Sequence, residues 1–154
     1  MSETIFVSNS SPIIAFERLR KLSLLQQITH QLYIPTAVRQ EVFSLRPLPN
    51  WIIERPITQA VSAFTLSPRL GQGECEAIVL ALEMLPNYIL LDDLSARQTA
   101  QSFNITVIGT VGLLILARQR NLIVEIKPHL DDLIKAEFHI SKGLYQMALK
   151  HVGE

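Results

Sequence analysis

Polar and acidic side chains cluster in this 154-residue sequence at points where an apolar run has just ended. Ser8-Asn9-Ser10-Ser11-Pro12 follows the first run, Asp92-Asp93 follows a later one, and Gly109-Thr110 a third. Glu74 and Glu76 open the most apolar stretch of the chain, Ala77 to Leu82. Carboxylate, hydroxyl and amide oxygens are hard donors, so a sparse set of them suits magnesium or manganese better than zinc. Two adjacent aspartates at a buried strand end repel each other, and the repulsion grows as water is excluded. A divalent metal would neutralise them; Arg97, four residues after Asp93 on the same helix face, is the side-chain alternative.

Each of these residues also has a structural reading. Ser11 before Pro12 has the form of a helix N-cap followed by proline at the first helical position. Glu76 stands three residues after Gly73, where an acid suits the first turn of a helix. Glu74 and Glu76 lie about 200° apart around a helix, so both cannot face one site. One of Asp92 and Asp93 can cap the next helix, which leaves the other over. Thr110 reads as an N-cap before a ligand. Arg69, Arg97, Arg118 and Arg120 could form a local phosphate-facing patch, although Arg118 and Arg120 also suit the end of a helix, where cations complement the dipole.

These residues need a scaffold, and the hydrophobic pattern supplies one. Ile5 to Val7, Leu32 to Ile34, Tyr88 to Leu91 and Ile105 to Ile108 are short β-prone runs without alternation, as expected of strands buried on both faces of a parallel sheet. Leu122 to Ile126 reads as a last strand and Trp51 to Ile53 as a minor one. Helices are predicted over Pro12–Leu19, Leu22–Ile28, Pro35–Phe43, Glu74–Leu85, Leu94–Phe103, Val111–Gln119, His129–Ala136 and Lys142–His151. The alternation implies an α/β fold with a central parallel sheet flanked by helices, read as one domain over residues 1–154. In such sheets ligands gather outside the carboxyl ends of the strands, where the polar groups above fall. The proline-rich stretch from Ser44 to Ser67 has no clear period.

Composition narrows the class. Lys and Arg together number 14, as do Asp and Glu, so no global basic field marks a nucleic-acid binder and any phosphate-facing charge must be local. The single cysteine, Cys75, excludes an internal disulfide and a cysteine-rich zinc site and fits a reducing cytoplasm. His30, His129, His139 and His151 match no histidine metal motif. No signal peptide begins at Met1-Ser2-Glu3-Thr4, and no apolar run approaches the roughly 20 residues of a membrane span, so the expectation is a soluble cytoplasmic protein.

The ordered series Val7-Ser8-Asn9-Ser10-Ser11-Pro12-Ile13-Ile14-Ala15, Ile34-Pro35-Thr36-Ala37-Val38, Leu70-Gly71-Gln72-Gly73-Glu74-Cys75-Glu76-Ala77-Ile78, Leu90-Leu91-Asp92-Asp93 with Arg97, and Val107 to Leu114 resembles the PIN-domain family. It is closest in kind to a PIN-like, VapC-like branch of largely unassigned function. The resemblance runs from about residue 5 to residue 145 and implies a magnesium- or manganese-dependent ribonuclease, many relatives being toxins of toxin–antitoxin pairs. Carried over residue by residue, the family's first acid falls on Asn9, its second on Glu76 with Glu74 as the fallback, and its third on Asp92-Asp93. The implied catalytic set is Asn9, Glu76, Asp92 and Asp93, with Glu76 and Asp93 as metal ligands and Ser10, Arg97 and Thr110 in support. Asn9 departs from the pattern: an amide oxygen can coordinate magnesium but adds no negative charge.

Two functions follow as expectations. One is hydrolysis of single-stranded RNA by in-line attack of water on the phosphodiester. The other is a catalytically weakened binding module for RNA or a small antitoxin-like protein; a homodimer is compatible with either. A dinucleotide-binding reading of Gly71-Gln72-Gly73 fails on context, because Ser67-Pro68-Arg69 is a poor strand and Glu76 would set its charge against a pyrophosphate.

Overall fold

In the computed structural model, residues 4–59 and 69–154 are described. Residues 1–3 of the N-terminus, and the part of the proline-rich stretch from 60 to 68 that includes Ser67-Pro68, lie outside them. Among the described residues, five strands form one all-parallel sheet: β1 (Phe6–Ser8), β2 (Leu32–Ile34), β3 (Ile52–Glu54), β4 (Tyr88–Leu90) and β5 (Val107–Ile108). The helices are α1 (Ser10–Arg18), α2 (Leu22–Thr29), α3 (Thr36–Val42), α4 (Gln72–Met84), α5 (Leu94–Ser102), α6 (Thr110–Gln119), α7 (Lys127–Lys135) and α8 (Lys142–Val152). The α/β architecture expected from the pattern is present, and the minor strand at Trp51–Ile53 is the edge strand β3.

Strand order in the sheet is β3-β2-β1-β4-β5, so the chain builds outward from β1 first on one side and then on the other. The reversal falls between β1 and β4, where Phe6, Val7 and Ser8 pair with Tyr88, Ile89 and Leu90. Connections leaving β1 and β4 diverge there, and the divergence opens a crevice beyond their carboxyl ends.

Successive strand residues face opposite sides, and both sides are covered. Phe6, Leu32, Ile34 and Leu90 enter one core with Ile13 and Phe16 of α1, Leu25 and Ile28 of α2, Leu113 and Leu114 of α6, and Leu130 and Leu133 of α7. Val7, Ile89 and Leu91 enter the other core with Ile78 and Leu80 of α4 and Ala96 and Ala100 of α5. Because β1 and β4 lie in the middle, the residues at their carboxyl ends are held by packing on both faces. No described helix is long and apolar enough to cross a membrane.

Leu122–Ile126 is not a strand. The Leu122 amide closes the end of α6 on the Ala117 carbonyl at 2.9 Å, Val124 is 83% exposed, and Ile126 occupies the N-cap position of α7. The run is apolar because it wraps a core, where Ile126 is fully buried. Isoleucine cannot cap a helix, and Glu154 does so instead: its carboxylate accepts the amides of Ile126 at 2.8 Å and Lys127 at 3.1 Å. Substituting Glu154→Ala leaves those donors without a protein partner, so urea denaturation is expected to show a loss of about 1 kcal/mol, with faster amide exchange at Ile126 and Lys127.

Candidate active site

The end of β1 leads straight into α1. Asn9, in extended conformation at the N-cap position, makes no side-chain cap, and its backbone amide completes the sheet on the Leu90 carbonyl at 3.1 Å. Helix α1 therefore begins at Ser10, earlier than Ser11-Pro12 suggested, and Ser11 is not a cap. Its hydroxyl donates to Asp92 Oδ2 at 2.9 Å, while the Ser10 hydroxyl donates to Glu41 Oε2 at 2.5 Å.

Asp92 is the left-over aspartate, and protein donors hold it. Thr110 donates its backbone amide to Asp92 Oδ1 and its hydroxyl to Oδ2, each at 2.7 Å. Thr110 is thus the first residue of α6 and not its N-cap, the position Gly109 takes. Asp93 is the N-cap of α5, accepting the Ala96 amide at 3.0 Å, and is exposed. Arg97 forms no ion pair with it; the guanidinium lies instead beside Gly109, with Nη1 3.6 Å from where a Cβ at that glycine would sit.

The two glutamates of α4 exchange the positions expected of them. Glu76 turns toward α3, where its carboxylate accepts the Ala37 amide at 3.1 Å and the Gln72 side chain at 3.2 Å. Glu74 lines a cleft of about 360 Å³ with Asn9, Ser10, Ser11, Glu41 and Gly73. The reason is the helix start: α4 begins at Gln72 with Gly71 at the N-cap, so Glu74 is the third helical residue and reaches back to the Gly71 amide at 2.8 Å.

Glu41 is the residue that sequence reasoning missed. It lies in the last turn of α3, where the helix dipole disfavours an acid, and that mismatch was the available signal. Its partner glycine is the second signal. A Cβ at Gly73 would stand 2.6 Å from Glu41 Oε1 and 2.9 Å from Oε2, so the absence of a side chain at 73 gives the carboxylate its place.

The cleft is electrostatically uneasy. Burial pushes the Glu74 carboxyl above its ordinary value, the Gly71 amide pulls it back, and the negative charges of Asp93 and Glu41 raise it further. Among the described residues no three His, Cys, Asp or Glu converge into a metal cage. The donors present are nevertheless of the right kind: the Glu41 and Glu74 carboxylates, the Asn9 amide and the Ser10 hydroxyl. A hydrated magnesium-type ion asks for one or two protein carboxylates and keeps its waters, so this set fits one.

The structure is thus an α/β domain with an all-parallel sheet and two carboxylates, Glu41 and Glu74, lining a cleft beside Asn9. The chain belongs to the PIN-domain family, whose model matches residues 5–154. No curated protein matches it.

A raised Glu74 pKa means that the folded protein binds that proton more tightly than the unfolded chain. The favourable contribution is full below the ordinary glutamate value and is lost as pH rises through the raised one. Glu74→Gln, which keeps an acceptor for Gly71, is expected to melt higher than the parent at pH 7 without metal. The two should converge as pH falls below about 4.3, in melting curves recorded across the acid range.

Proposed function

We propose that this protein is a metal-dependent ribonuclease of PIN type, using Mg²⁺ or Mn²⁺ to hydrolyse phosphodiesters of single-stranded RNA. The observation that carries the reading is the pairing of Glu41 and Glu74 across Gly73 beside Asn9, at the point where the strand order reverses. In this reading Glu41, Glu74 and the Asn9 amide hold the cation, in place of Glu76 and Asp93. The bound ion would offset their charge, polarise a phosphate oxygen and lower the pKa of an attacking water.

The rest of the chemistry belongs to the chain. Ser10 fixes one Glu41 oxygen and the Gly71 amide fixes one Glu74 oxygen, so each carboxylate presents its other oxygen in a set orientation. Asp92, through Ser11 and Thr110, positions the first turn of α1 and with it Asn9 and Ser10. Glu76 and Asp93 hold helix starts, and Asp93 adds to the negative field on Glu74. A role as the toxin of a toxin–antitoxin pair, with a small protein antagonist, fits this reading.

Asn9 also supports a second reading, a binding module whose chemistry is weakened by the missing charge. Cleavage of a labelled single-stranded RNA across a Mn²⁺ titration separates the two. Glu41→Gln and Glu74→Gln are expected to lower the rate by about 10²-fold or more, while Asn9→Asp raises it and tightens Mn²⁺ binding. Absence of cleavage by every variant, together with an Asn9→Asp protein that melts lower and is not rescued by saturating Mn²⁺, would leave the binding module.

A further inference from the structure

A second cavity opens beside the acidic cleft. It is a groove of about 430 Å³ between α6 and α8, walled by Ile115, Leu144 and Met147, with Phe138 and His139 on the connecting segment and Arg97 at the sheet end. Phe138 lines both this groove and the cleft, and Asp92, bonded to Ser11 of the cleft, lies at the groove's near end. The two spaces are therefore neighbours across one aromatic ring.

The groove differs from the cleft in charge. Its one carboxylate, Asp92, is committed to Thr110 and Ser11, whereas the Arg97 guanidinium has no hydrogen bond or ion pair among the described residues. Beyond it the walls are apolar, with Met147 60% exposed, and the far polar group is His151, paired with the Gln119 side chain at 3.3 Å. A lining that combines the unpaired Arg97 cation, the Phe138 ring and an apolar wall matches a phosphate followed by a base, since every base offers a π-face to an aromatic or apolar wall. The volume suits a ligand of nucleotide size.

We propose that this groove holds one nucleotide of a single-stranded RNA, with Arg97 on its phosphate and its base among Phe138, Leu144 and Met147, so that the adjoining phosphodiester reaches the acidic cleft. The proposal deepens the ribonuclease reading above and rests on it. Arg97 and Met147 are positioning residues for the strand.

The test is fluorescence anisotropy of a fluorescein-labelled hexauridylate with Ca²⁺ in place of Mn²⁺, over a salt series, for the parent and for Arg97→Gln, Met147→Glu and Val124→Glu. Val124 is exposed and outside the groove, so its variant is expected to bind as the parent does. Met147→Glu is expected to weaken binding by about tenfold. Arg97→Gln should reduce the slope of log Kd against log salt by about 0.7. Parent-like binding by both groove variants, or no binding by the parent, overturns the proposal. So does a Met147→Glu effect confined to self-association in sedimentation. RNA cleavage whose KM ignores both variants sinks the groove and spares the nuclease. Groove-dependent binding by a protein that cleaves no RNA does the reverse.

Discussion

The site depends on where one carboxylate sits. Asp92 leaves β4 at the reversal of the strand order and accepts the Thr110 amide, the Thr110 hydroxyl and the Ser11 hydroxyl. Those bonds tie the end of a central strand to the first turn of α1, which follows β1, and to that of α6, which follows β5. Removing a partner from such a cluster leaves part-buried donors unsatisfied, at about 1–3 kcal/mol each. The fold thus settles its own switch point with Asp92 and leaves the cleft beyond it to other acids.

Those acids come from helices that meet at a glycine. Glu41 lies in the last turn of α3 against the local dipole, and Glu74 opens α4 with its carboxyl raised first by burial and then by the charges of Asp93 and Glu41. The Glu41 placement does not favour its helix, whereas Glu74 caps the start of α4 on the Gly71 amide and still has its carboxyl pushed above the ordinary value; a perturbed carboxyl in a cleft is a candidate mark of function. Gly73 makes the arrangement sterically feasible, since any side chain there would strike the Glu41 carboxylate.

Most of the scaffold was legible in the sequence because the central strands are buried on both faces and read as plain apolar runs. The helices between them carried period and length. Leu122–Ile126 misled because an apolar run that wraps a core looks like a strand until its backbone partners are known. Glu74 and Glu76 trade places because a helix start at Glu74, under Gly73, makes Glu76 the third helical residue, whereas the cap is Gly71 and the third helical residue is Glu74. Ser11 and Thr110 look like caps because a hydroxyl at a helix start bonds either its own helix or a neighbour, and only tertiary structure shows that both serve Asp92. Glu41 carried no strand-end signal, because it reaches the cleft from the far end of its helix.

Glu41 and Glu74, beside Asn9, form the proposed cation site of this PIN domain. Anomalous diffraction from crystals soaked in Mn²⁺ tests it most directly. The account predicts a manganese peak in the cleft, bonded by the Glu41 and Glu74 carboxylates and lost in Glu74→Gln. A peak held by Glu76 and Asp93, or no peak in the cleft at saturating Mn²⁺, would contradict it.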